Sequence, residues 1–192
     1  MLSLLFKYIE RFNTVFLRVG RQLAWLAIFL MVVVILIQVF FRYILNNALP
    51  WPDEVARFLM LWMTGLIAPS AYRWGGFVSI DVISKLLPTH VGNILALALL
   101  FLSLTILLIG FNLGLQHIKM GWIFESASIK LPWQLIGGKQ EAMKLAWMYM
   151  SIPVGVFFLI SVTIELILRN LISLLKPDLS MIMDTDKEKL ES

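Results

Sequence analysis

The sequence contains no cysteine, which excludes disulfides, thiolate zinc sites, iron–sulfur clusters and cysteine nucleophiles. Histidine is nearly as scarce, with only His90 and His117, one at each end of a single apolar run. As a haem-ligating pair they would have to meet one plane across about 40 Å of helix, at roughly 1.5 Å per residue. No HExxH, GxSxG, phosphate-loop pattern or acidic metal cluster occurs, so no enzyme activity is expected and no cofactor is expected in this chain. Charge is low as well. Of the 192 residues 15% are charged, against about 25% in an ordinary soluble domain. The formal charge of +4 arises from cations scattered around the ends of apolar runs, a distribution that suits membrane orientation and suggests no nucleic-acid partner.

Hydrophobic residues make up 60% of the chain. A bilayer-spanning helix needs roughly 20 mostly apolar residues. Four such runs lie at 22–41, 55–73, 91–115 and 147–168, and they predict an all-α integral membrane protein with four transmembrane helices. Residues 1–21 do not read as a secretory signal, because Lys7, Glu10, Arg11, Arg18 and Arg21 interrupt every apolar stretch. At helical periodicity Leu5, Tyr8, Ile9, Phe12, Phe16, Val19 and Leu23 gather on one side, and Lys7, Arg11, Thr14, Arg18 and Arg21 on the other. This predicts an N-terminal in-plane amphipathic helix over 1–21, anchored on membrane lipids; the alternative is an extension of the first span that packs on protein. The expected organisation is therefore 1–21 interfacial helix, 22–168 transmembrane domain and 169–192 cytoplasmic tail.

Polar and small residues mark contacts between spans. Gln38 reads as an interhelical hydrogen-bonding residue of the first span, and Thr64, Gly65, Ala68, Ser70 and Ala71 as a close-packing face of the second. Gly110 and Gly114 form a small-xxx-small pair in the third. In the fourth, Glu165 stands four residues before Arg169, a spacing that lets the two neutralise on one face. Gly75 and Gly76 break the second span, a partly apolar stretch from Val78 to Leu87 is expected along the interface, and the connection 116–146 is too apolar for a free linker. Ten Lys and Arg residues fall on the side of the termini and six on the other, which places both termini in the cytoplasm.

The charges that stand out cluster at the mouth of the second span. Pro50 and Pro52 stop the preceding helix, and Asp53 and Glu54 begin the next, where acidic groups suit the positive helix end. Arg57 lies three and four residues beyond, within reach of either carboxylate, with Arg42 nearby. Three roles stay open for this group: a helix-end charge network, a polar contact point for another protein, or part of a substrate path.

Several of these residues also carry a family resemblance. The run Phe41, Arg42, Tyr43, Asn46, Trp51, Asp53, Glu54 and Arg57, continuing through Trp62, Gly65, Ala71, Arg73 and Asp81, resembles the small membrane (Q-type) subunit of tripartite ATP-independent periplasmic (TRAP) transporters. Pro132 and the stretch Tyr149 to Gly155 resemble the start of that family's final span. Two departures stand out: Phe77 precedes Val78-Ser79-Ile80-Asp81 where many members carry a histidine, and 137–144 includes an inserted Gly-Gly-Lys-Gln-Glu-Ala.

The resemblance implies a division of labour within the bacterial inner membrane. A periplasmic substrate-binding protein captures an organic acid, and a large multi-span transport subunit moves it with sodium. The small subunit supports the large one. Any sodium site is then expected on the partner, and Arg42, Trp51, Asp53, Glu54, Arg57, Trp62, Gly65, Arg73 and Asp81 become candidates for partner contact. From the residues alone, an autonomous small oligomeric transporter or channel is the alternative, although Gln38, Ser103, Thr105 and Ser161 are a poor supply of pore-lining groups.

Overall fold

The computed structural model describes residues 2–75, 89–131 and 141–175. Its elements in chain order are α1 (Leu2–Tyr43), α2 (Pro52–Gly75), α3 (Thr89–Gly121), β1 (Glu125–Leu131), β2 (Glu141–Lys144), α4 (Ala146–Tyr149) and α5 (Ser151–Leu175). Four segments are long and apolar enough to cross a membrane: Phe6–Tyr43, Pro52–Trp74, Val91–Gly121 and Ala146–Leu174. Each contains one of the four runs read from the sequence. Asp81 and the apolar stretch 78–87 lie outside the described residues, as do Pro132, residues 137–140 of the insertion and the tail beyond residue 175.

The helix boundaries follow from local chemistry. After Tyr43 the chain leaves α1 through Asn46 at φ 49, a left-handed conformation that asparagine tolerates better than most residues. Pro52 then opens α2, where its missing N–H would have had no helical acceptor in any case. α2 is described as far as Gly75, and Gly76 lies outside the described residues.

α1 differs from expectation. It runs unbroken for 42 residues, about 63 Å, so the boundary expected at residue 21 falls inside a helix. The reason is a buried stripe at Phe6, Asn13, Leu17, Gly20, Ala24 and Ala27, which repeats every three to four residues across that boundary and packs the N-terminal turns on protein. Gly20 backs directly onto the Leu66 carbonyl. Tyr8, Phe12, Phe16 and Val19 face outward and are exposed.

α5 is the hub of the bundle. It packs on α1, α2 and α3, while α1 lies mainly along α2. Where α2 crosses α5, a Cβ on Gly65 would stand 2.6 Å from the Ser151 carbonyl oxygen, and one on Gly155 would stand 2.7 Å from the Gly65 carbonyl oxygen. Backbone meets backbone there, so only glycine fits. Gly114 likewise packs on Pro153, whereas nothing lies within 4 Å of a Cβ on Gly110; the glycine pair of α3 is thus half a contact.

One feature departs from an all-helical fold. β1 and β2 pair antiparallel in a two-stranded sheet, with Glu125 opposite Lys144 and Lys130 opposite Ala142. Between those pairs the register shifts, and β1 bulges at its serines. The Lys144 ammonium reaches the Glu125 carboxylate at 2.6 Å across an exposed part of the sheet.

Candidate functional site

Two polar centres lie at opposite ends of the bundle. The first is at the start of α2, where helix geometry puts Glu54 in the first turn and aims it at the bulge of β1. Ser126 Oγ donates to Glu54 Oε2 at 2.6 Å, Ser128 N–H donates to the same oxygen at 3.0 Å, and Ala127 N–H reaches Oε1 at 3.3 Å. The Ser128 hydroxyl donates to Oε2 as well. Ser126 Oγ also accepts the Ile129 N–H at 2.9 Å, which fixes the curl of the strand. Such charge-assisted bonds are stronger than neutral ones, so Glu54 pins the sheet to α2.

The pairing of Arg57 with either carboxylate that helical spacing allows is not formed. Arg57 is exposed, and no ion pair joins it to Glu54 or Asp53 among the described residues. The serine donors outcompete it because they sit on a neighbouring element that converges on the carboxylate, whereas Arg57 points along the open side of α2. Asp53 is exposed beside it. Trp51 is half-buried just before the helix, and its carbonyl accepts the Val55 N–H at 3.1 Å. Arg42 is exposed at the end of α1, 5.9 Å from the centre of the Tyr43 ring.

The second centre joins α1, α2 and α5 near the end that carries the N-terminus. Arg73 donates from Nε and Nη2 to Glu165 Oε1, at 2.9 and 2.7 Å, and from Nη1 to Thr14 Oγ1 at 2.9 Å. Asn13 Nδ2 donates to the other Glu165 oxygen at 2.6 Å, and Asn13 Oδ1 accepts from Ser161 Oγ at 2.6 Å. The ion pair is almost sealed, with side chains 6% and 3% exposed for Arg73 and Glu165. Beyond the local Glu165 and Arg169 spacing, both Glu165 oxygens are engaged across the bundle. Alongside, Arg21 donates to Ser70 Oγ at 3.1 Å and stacks over the Trp74 ring at 4.1 Å.

The remaining candidates are internal to the chain. Trp62 Nε1 donates to the Trp147 carbonyl at 3.1 Å, tying α2 to α4, and Gly65 lies under α5. Gln38 is half-buried on the continuation of the α1 stripe, and the interhelical bond expected of it is not formed among the described residues. Sequence reasoning missed Ser126 and Ser128 outright. It placed Thr14 and Arg21 on the polar side of an in-plane helix, when both are bonded to α2 side chains.

Among the described residues, no group of three or more His, Asp or Glu side chains is arranged to hold a metal ion. The buried charges here tie α1, α2 and α5 together. The family model for the tripartite ATP-independent periplasmic transporters, DctQ component, matches residues 31–172. No curated protein matches the chain.

Proposed function

The chain belongs to the DctQ component family of the tripartite ATP-independent periplasmic transporters, and from that premise we propose that it is the architectural subunit of a sodium-coupled organic-acid uptake system. In this reading it braces the large multi-span subunit, which carries the substrate and sodium sites, and helps to seat the periplasmic binding protein. The observation that supports bracing is the Arg73, Glu165, Asn13 and Thr14 centre, in which buried charge is fully engaged in cross-linking three helices. A carrier that moves one bundle against another needs a neighbour that does not move.

Docking falls to the opposite end, in the periplasm when both termini are cytoplasmic. There Glu54 is occupied within the chain, so the groups offered to a binding protein are Arg42, Asp53 and Arg57, all exposed, with Trp51 beside them. Rim charges of this kind set encounter and register more than affinity. At the other end the outward Tyr8, Phe12, Phe16 and Val19 face of α1 is suited to the acyl boundary of the inner leaflet, with Lys7 and Arg11 at headgroup level. Leaving this chain out of otherwise complete proteoliposomes should abolish sodium-driven uptake of the organic acid; undiminished uptake without it would overturn the architectural role.

A further inference from the structure

Two long faces of the bundle are left uncovered by the chain itself, and they differ in chemistry. On α1, Trp25, Phe29, Val32, Leu36 and Phe40 are all exposed, an apolar surface of the kind that lipid tails accept. α3 is different. Its packed side carries Gly92, Leu100 and Gly114, all buried, with Gly114 against Pro153 and Ser103 at 3.2 Å from the Tyr72 hydroxyl. Half a turn away, the row Ala98, Phe101, Thr105, Ile109, Asn112 and Gln116 is exposed along its whole length.

Half of that row is polar. Thr105 returns its hydroxyl to the Phe101 carbonyl at 2.9 Å and is satisfied within the helix. Asn112 gives one amide hydrogen to the Leu108 carbonyl at 3.1 Å, which leaves its oxygen and second hydrogen unpartnered among the described residues. Gln116 makes no hydrogen bond among them. Asn112 lies three residues inside the end of the apolar run 91–115, and Gln116 one residue beyond it. Towards lipid, a carboxamide at the edge of the hydrocarbon layer is only partly solvated; against another protein helix it forms interhelical hydrogen bonds.

We propose that this row of α3 is the surface on which the large multi-span subunit packs, with Asn112 and Gln116 hydrogen-bonding to its helices, while the outer face of α1 meets lipid. The assignment rests on the subunit role proposed above. It fixes which way round the small subunit stands in the complex: the α1 side points away from the carrier and the α3 side towards it.

The test uses the full chain co-expressed with a tagged large subunit and the binding protein. Recovery of the large subunit with the wild-type chain in mild detergent is scored first; its absence would overturn the subunit role and this inference with it. A photoreactive phenylalanine analogue is then placed singly at Phe101 or Ile109 of α3, and at Phe29 or Leu36 of α1, and the membranes are irradiated. Adducts with the tagged large subunit are expected from the α3 positions in large excess over the α1 positions. The double variant Asn112→Leu, Gln116→Leu should lower recovery of the large subunit about threefold while its own level in the membrane stays at wild type. Adducts mainly from α1, equal adducts from both faces, or an α3 adduct between two copies of this chain would overturn the assignment. So would lipid adducts alone at α3, and each of these leaves the subunit role standing if the wild-type complex was recovered.

Discussion

At the scale of single residues, a buried carboxylate held from two helices is more sensitive to losing one partner than to losing both. Arg73→Met leaves Glu165 enclosed without its buried cation, with Asn13 still bonded to it, and should destabilise the detergent-solubilised protein by about 3–5 kcal/mol. Arg73→Met combined with Glu165→Met replaces the pair by apolar groups and should recover most of that loss. Thermal unfolding of the two variants checks this, and equal destabilisation by single and double changes would contradict it. Glu54 has the analogous role at the other end. Glu54→Ala should speed trypsin cleavage after Lys130 or Lys144 by releasing the sheet from α2, while Arg57→Glu should leave the digestion rate unchanged. Both centres were only partly legible in the sequence. Arg73, Glu165 and Glu54 stand out as charges beside apolar runs, but their partners lie 92 and 72 residues away in the chain for the pairs Arg73–Glu165 and Glu54–Ser126. Helical spacing proposes only local partners, and Arg57 and Arg169 are what it offers.

At the scale of elements, the four spans are legible because runs of about 20 apolar residues have few other uses. The β1 and β2 sheet is less so: Ser126 to Leu131 alternates polar and apolar residues, but the run is short and lies between apolar spans, and the strand is held by a carboxylate from α2 as much as by its own ladder. The course of α1 is obscured for a different reason. Cations at Arg18 and Arg21 look like the end of an interfacial helix, yet Arg21 is satisfied by Ser70 and Trp74, so the helix continues past it. The glycines give a direct test of which helix crossings are tight. Gly65→Ala and Gly155→Ala each press a methyl group into backbone under 3 Å away, and each should cost about 1–3 kcal/mol through displaced helices. Gly110→Ala meets nothing and should be neutral or stabilising by up to about 1 kcal/mol. Thermal stability of the three variants separates them, and a loss at Gly110→Ala equal to that at Gly65→Ala would contradict the packing described.

At the scale of the whole molecule, antiparallel helices put the N-terminus of α1, the end of α2, the start of α3 and the end of α5 at one end of the bundle, and the sheet with the start of α2 at the other. By the positive-inside rule, the excess of cations, ten against six, leads us to propose that the first end is cytoplasmic. Reporter fusions after Leu190 and within 125–131 should accordingly fall on opposite sides of the membrane, and fusions that report the same side would contradict the orientation. The family is legible in sequence because its signature residues cluster around the first connection, where Arg42, Trp51 and Glu54 do work that apolar runs cannot specify. Their partners outside the chain are not, since exposure alone does not say what covers a surface. On the proposed reading this chain braces a carrier and moves nothing itself. Sodium-driven organic-acid uptake should therefore be measured in liposomes holding this chain alone and in liposomes holding it with the large subunit and the binding protein. Uptake at the level of empty liposomes is expected for the chain alone and robust uptake for the complete set; uptake by the chain alone above the empty control would overturn the bracing role.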